Sequence, residues 1–173
     1  MIENAQKTNI VLIGMPGAGK STIGVLLAKK MALDFTDTDL LIQTSHGDAL
    51  QKILDSQGYL ALRAIEEKVI LSMNCAHQVI ATGGSAVYSG PAMEYLKQSA
   101  IAVFLDVNLD EIKKRVNDFD DRGIARRQDQ TFEDLFAERV PLYQKYADIT
   151  IDCENKNQDI VAEEIAEKTR HLL

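Results

Sequence analysis

The stretch Thr8-Asn9-Ile10-Val11-Leu12-Ile13-Gly14-Met15-Pro16-Gly17-Ala18-Gly19-Lys20-Ser21-Thr22 joins an apolar run to a glycine-rich loop that ends on a basic residue and two hydroxyls. Thr8–Ile13 predicts a buried strand, which Gly14 ends. From Gly19 to Met31 the apolar residues Ile23, Leu26, Leu27 and Met31 fall along one side of a predicted helix. Between strand and helix stands Gly14-x-x-x-x-Gly19-Lys20-Ser21, the pattern of a phosphate-binding loop. Glycines let such a loop curl so that successive N–H groups point at phosphate oxygens, beside the positive end of the following helix. Lys20 supplies a point charge for the β- and γ-phosphates, and the Ser21 hydroxyl suits Mg²⁺. The bland alternative is a glycine-rich turn that matches by accident. Four defined positions match by chance in roughly one chain in a hundred or fewer at ordinary residue frequencies. The strand before and the helix after reduce that further, so the reading is ATP with Mg²⁺, bound through Gly14, Met15, Pro16, Gly17, Ala18, Gly19, Lys20, Ser21 and Thr22.

Outward from that loop, apolar strands alternate with helical stretches. A short strand at Leu33–Thr36 leads to Asp37-Thr38-Asp39, then helical stretches at about 40–56 and 58–73. Gln78–Ala81 and Ala100–Leu105 read as further strands, with helices at Pro91–Gln98 and at about Leu109–Val116. Phe132–Tyr146 is predicted helical, Asp148–Asp152 a strand, and about 156–171 a terminal helix. Strands that are apolar throughout and alternate with helices predict a parallel sheet covered on both faces. The expected architecture is α/β, a three-layer sandwich on a five-stranded parallel sheet with the P-loop NTPase fold. Ligands in such sheets bind beyond the carboxyl ends of the strands, where every motif of this chain falls.

Composition bounds the alternatives. The 173 residues suit one domain, 1–173, and 46% apolar with 26% charged residues is an ordinary globular balance. No apolar run approaches a membrane span, and residues 1–8 lack the pattern of a signal peptide, so the expected location is the cytoplasm. Two cysteines and three scattered histidines form no disulfide framework or zinc-ligand spacing. A formal net charge of −7 argues against a nucleic-acid partner, yet an arginine cluster can still make one cleft positive.

Four further groups carry chemistry. Carboxylates at i and i+2, Asp37 and Asp39, can divide labour: one holds Mg²⁺ while the other orients or deprotonates an acceptor hydroxyl. A helix N-cap by Thr38 or Asp39 is the structural alternative. Arg63 and Glu66, i and i+3 in a helical run flanked by Leu60, Leu62 and Ile65, share a helix face. If that run is partly buried, Glu66 holds Arg63 for bidentate work on a carboxylate. Thr82-Gly83-Gly84-Ser85 follows a strand, where glycines let a ligand approach backbone N–H groups. Finally Arg122, Arg126 and Arg127 lie in the polar segment Asn117–Gln130, with Arg115 before it and Arg139 after it; at about 14 residues long it suits a mobile lid at about 117–130. Arginine there would neutralise charge developing during phosphoryl transfer.

Together these residues resemble the shikimate kinase family, within the nucleoside-monophosphate-kinase-like P-loop fold. Gly-Met-Pro-Gly-Ala-Gly-Lys-Ser-Thr at 14–22, Phe-Thr-Asp-Thr-Asp at 35–39, Arg63-x-x-Glu66, Ala81-Thr82-Gly83-Gly84 and Arg139-x-Pro141-Leu142-Tyr143 carry the likeness, from about Asn9 to Asp152. The resemblance implies transfer of the ATP γ-phosphate to the 3-hydroxyl of shikimate, in aromatic amino-acid biosynthesis. It implies that Asp39 binds the acceptor hydroxyls and acts as base, that Arg63 and Arg139 hold the carboxylate, and that Gly83 and Gly84 meet the acceptor. In that frame Asp37 supports Mg²⁺, Arg122 is the lid arginine, Arg115 stacks on adenine and Glu66 orients Arg63. A monomer is the default for this build. Three departures stand out: the family's glycine triplet becomes Gly83-Gly84-Ser85, its Arg-Pro-Leu-Leu lid becomes Arg122-Gly123-Ile124-Ala125, and Gln158 stands where the family often has a proline near adenine. The competing readings are a gluconate kinase-like enzyme acting on another small hydroxy or sugar acid, and a regulatory module that binds ATP without turnover.

Overall fold

The parallel sheet is built outward from its first strand. In a computed structural model, which describes residues 7–115 and 123–173, β1 (Asn9–Ile13) lies between β3 (Gln78–Ala81) and β4 (Ala100–Asp106), with β2 (Asp34–Asp37) and β5 (Ile149–Asp152) at the edges. The order is β2-β3-β1-β4-β5 and all pairings are parallel, with Ile10 opposite Val79 on one side and Ile101 on the other. Every residue of β1 is buried, whereas both edge strands are partly exposed. That gradient explains why the central strands read as unbroken apolar runs and the edges do not. Asn9 is the polar exception in β1. Its side chain donates to the Cys75 carbonyl (2.9 Å) and Ser99 Oγ (3.1 Å) and accepts from the Gln78 N–H (2.9 Å), so it is satisfied while fully buried.

Helices cover both faces. α1 (Lys20–Met31) packs on β2, β3 and the last helix, α8 (Gln158–Thr169). On the other face α5 (Gly90–Ser99) packs on β4 and on α4 (Tyr59–Ser72), and α7 (Phe132–Tyr146) reaches β4 and a 3-10 turn, Ala86–Tyr88. A short α6 (Leu109–Arg115) follows β4. The stretch at about 40–56, expected as one helix, is two: α2 (Thr38–His46) and α3 (Leu50–Gln57). Gly47 adopts φ 70° and its N–H closes on the Gln43 carbonyl, a left-handed cap that ends α2 where the apolar pattern gave no sign of a break. A second small core of Ile42, Ile53, Leu62 and Ala125 ties α2, α3 and α4 to the segment after residue 123. Among the described residues no helix is long and apolar enough to cross a membrane.

Candidate active site

The loops at the carboxyl ends of β1, β2 and β3 meet in one cleft of about 620 Å³, lined among others by Pro16, Lys20, Ser21, Asp39, Glu66, Gly83, Gly84, Arg115, Arg139 and Gln158. On the phosphate-loop side, Gly19 takes φ 94° to open α1, a conformation that favours glycine. Lys20, 8% exposed, donates from Nζ to the Gly14 (2.8 Å) and Met15 (2.9 Å) carbonyls. Burial lowers its ammonium to about 8, against the opposing pull of Asp39, Glu66 and Asp37. Ser21 Oγ donates to Asp37 Oδ2 at 2.6 Å. The hydroxyl and carboxylate together are hard oxygen donors of the kind Mg²⁺ takes. The other Asp37 oxygen accepts from the Asp39 (2.9 Å) and Leu40 (3.4 Å) N–H groups. The cap of α2 is therefore Asp37, not Thr38 or Asp39, and it fixes the carboxylate that faces Ser21. Thr38 is buried and its hydroxyl accepts from the Gly83 N–H at 3.0 Å, a tie between the start of α2 and the turn after β3 that sequence pattern did not reveal.

Two carboxylates border the glycine turn after β3. A Cβ placed on Gly83 would lie 2.3 Å from Glu66 Oε1 and 2.7 Å from Asp39 Oδ1; one on Gly84 would lie 2.8 Å from Pro16 Cδ and 2.9 Å from Arg139 Nη1. Neither position has room for a side chain. Burial pushes Asp39 up to about 6, with neighbouring Asp37 adding and Lys20 opposing. Burial likewise pushes Glu66 up to about 7; Asp39 adds, while the Ser85 hydrogen bond, Arg139 and Lys20 oppose.

The expected Arg63–Glu66 pair does not form. Glu66 Oε2 accepts a short hydrogen bond from the Ser85 hydroxyl, and among the described residues Oε1 has no hydrogen-bond partner. Arg63 instead lays its guanidinium 3.5 Å over the Tyr88 ring and donates from Nη2 to the Ala125 carbonyl (3.2 Å). The i, i+3 spacing puts both residues on one helix face, but a hydroxyl from the β3 turn and an aromatic ring from the 3-10 turn are better placed than either is for the other. Arg139, 1% exposed, donates to the same Ala125 carbonyl (2.8 Å) and to Tyr88 Oη (3.4 Å). Two guanidiniums thus meet on one neutral carbonyl and one ring, and among the described residues neither forms an ion pair with a carboxylate. One buried and one half-buried cation in that condition make a ready site for an anion.

Sequence reasoning missed the supports of this site. Tyr143, stacked on Phe104 at 5.3 Å, donates from its hydroxyl to the Gly84 carbonyl at 2.6 Å and pins the turn. Tyr88 carries no sequence signal, and Ala125, read only as part of the altered lid, acts here through its backbone carbonyl. Of the arginine run, Arg115 and Arg139 line the cleft, whereas Arg126 donates to the Gln130 carbonyl and Arg127 faces Asp129 (3.7 Å) and Glu138 (3.9 Å). Arg122 and the lid residues 117–122 lie outside the described residues.

A family model described as shikimate kinase matches residues 16–170. A shikimate kinase of Haemophilus influenzae is 34% identical over 167 residues, covering 94% of this chain and 93% of its own length. One from Thermodesulfovibrio yellowstonii is 35% identical over 167 residues, covering 95% and 96%. Among solved structures, shikimate kinase from Acinetobacter baumannii in complex with shikimate superposes with a TM-score of 0.87 at 30% identity, covering 95% of this chain and 94% of that one. Thymidylate kinase from Candida albicans, at 15% identity and a TM-score of 0.58, shares the fold.

Proposed function

The chain belongs to the shikimate kinase family, and from that premise we propose that it transfers the γ-phosphate of ATP to the 3-hydroxyl of shikimate, as a cytoplasmic monomer. The observation that carries the reading is the convergence of Arg63 and Arg139 on the Ala125 carbonyl, beside the Asp39 and Glu66 carboxylates at Gly83. A small acid with ring hydroxyls matches both halves: its carboxylate takes the two guanidiniums and its hydroxyls face the carboxylates. Asp39, held near 6, is suited to accept the proton of the attacking hydroxyl near neutral pH.

Gly14 to Thr22 would cradle the phosphates, with Lys20 leaving the loop carbonyls for the β- and γ-phosphate oxygens. Ser21 and Asp37 would hold Mg²⁺. That ion, when bound, supplies positive charge to the phosphate oxygens. Arg115 would stack on adenine, and Arg122 would carry positive charge to the transferring group from the lid. Gly83 and Gly84 would let the acceptor lie against backbone, and Arg63 and Arg139 would fix its orientation, so that catalysis is largely positional and electrostatic.

A coupled ADP-release assay with ATP, Mg²⁺ and shikimate, run beside a panel of sugar acids and small hydroxy acids, tests the reading. The expected result is turnover with shikimate that falls by about a hundredfold or more in Asp39→Asn and in Lys20→Met. Asp39→Asn should still bind ATP. Turnover with another acid but not shikimate would reassign the acceptor, and full activity of Asp39→Asn would remove its role as base.

A further inference from the structure

The Gly83-Gly84-Ser85 turn sets a hydroxyl beside the acceptor side of the cleft, at the position where the family pattern has a third glycine. Ser85 is 9% exposed and its one donor goes to Glu66 Oε2. Glu66 is 3% exposed, and its other oxygen, Oε1, has no hydrogen-bond partner among the described residues. Oε1 and Asp39 Oδ1 stand 2.3 and 2.7 Å from a common point at Gly83, hence within 5.0 Å of each other, and both residues line the cleft. A buried carboxylate oxygen left without a donor is costly, so an oxygen in this position is fitted to a donor that arrives with a ligand. Arg63, the neighbour expected to hold Glu66, is turned onto Tyr88 and Ala125 instead. What fixes the Glu66 carboxylate is the Ser85 hydroxyl. The same bond opposes the burial that pushes Glu66 toward its neutral form, and so favours the ionised acceptor state.

We propose that Ser85 is a positioning residue for the acceptor: its hydroxyl holds Glu66 so that the free carboxylate oxygen receives a second hydroxyl of the acceptor, next to the one that Asp39 addresses. The site would therefore select acids that carry two neighbouring hydroxyls. This rests on the proposed kinase reading, in that it takes the cleft at Gly83 as the acceptor site.

The test is steady-state kinetics of wild type, Ser85→Ala, Ser85→Gly and Ser85→Thr with two acceptors: shikimate and an analogue lacking the hydroxyl adjacent to the reacting one. With shikimate, Ser85→Ala and Ser85→Gly should raise the acceptor KM about tenfold, the size of one lost hydrogen-bonding arrangement, with kcat and the ATP KM little changed. Ser85→Thr, which keeps the hydroxyl, should restore much of that loss. With the deoxy analogue, wild type and Ser85→Ala should have the same KM, because the partner of Glu66 is missing from the substrate. A purely structural role for Ser85 would weaken both acceptors alike, and that outcome overturns the proposal, as does an acceptor KM in Ser85→Ala within twofold of wild type. Ser85→Gly keeps the test open should the alanine fold poorly. Wild type that turns over neither acceptor would instead reject the proposed function, an outcome separate from any difference among the Ser85 variants.

Discussion

At the scale of single residues, the site depends on an absence of atoms. A methyl group on Gly83 would enter the space between Glu66 Oε1 and Asp39 Oδ1, at 2.3 and 2.7 Å, closer than atoms approach without bonding. Both carboxylates would have to turn aside, and Glu66 is buried with little room to do so. Gly83→Ala is expected to lower acceptor kcat/KM by about a hundredfold, while ATP affinity, measured by nucleotide fluorescence, stays near wild type because the phosphate loop is untouched. Two glycines at the end of an apolar strand are visible in sequence, and they announced a close approach. The identity of what comes close was not visible. Glu66 sits in the helix α4, Asp39 in α2, and spacing within one helix says nothing of a carboxylate delivered by another. The same reason explains the mistaken Arg63–Glu66 pair, since Ser85 and Tyr88 come from a different part of the chain.

α7 brings Arg139 to the site together with two supports, Glu138, which accepts from the Tyr88 hydroxyl, and Tyr143, which holds the Gly84 carbonyl. Its start is set by a capping box: the Thr131 hydroxyl accepts from the Asp134 N–H (3.1 Å), and the Asp134 carboxylate accepts from the Thr131 N–H (3.1 Å). The helix then runs through Pro141, which cannot donate to the Ala137 carbonyl, so its stability leans on the cap and on packing. Thr131→Ala is expected to cost about 1 kcal/mol, or roughly 2–4 °C in Tm by calorimetry. The extent of α7 was legible because Phe132–Tyr146 has a clear start signal and a helical apolar period. The division of 40–56 into α2 and α3 was not, because Gly47 interrupts a helical pattern without a proline or a change of apolar face to mark the turn.

Across the whole molecule, the buried acids make stability depend on pH. Glu66 titrates near 7 in the folded chain against an ordinary 4.5, so above the ordinary value the unfolded chain loses its proton while the folded chain keeps it. Its contribution to stability therefore falls as pH rises from about 4.5 to about 7, by up to roughly 3 kcal/mol. Asp39, raised from 3.8 to about 6, acts in the same direction. In urea melts, Glu66→Gln should gain stability relative to wild type on going from pH ~5 to pH ~8; a constant difference between the two would mean that Glu66 is not perturbed. The class of fold was legible at this scale, since buried strands alternating with helices leave few arrangements. The order β2-β3-β1-β4-β5 was not, because hydrophobic pattern states that a strand is central but not who its neighbours are. That order also has a consequence for how the polypeptide is made. The central strand comes first in chain order among the described strands, and its partners begin at Gln78 and Ala100. Until β3 has been made, Ile10-Val11-Leu12-Ile13 has two open edges, and until β4 has been made it still has one. On the nascent chain this apolar strand is therefore open to wrong pairing until β4 has been made.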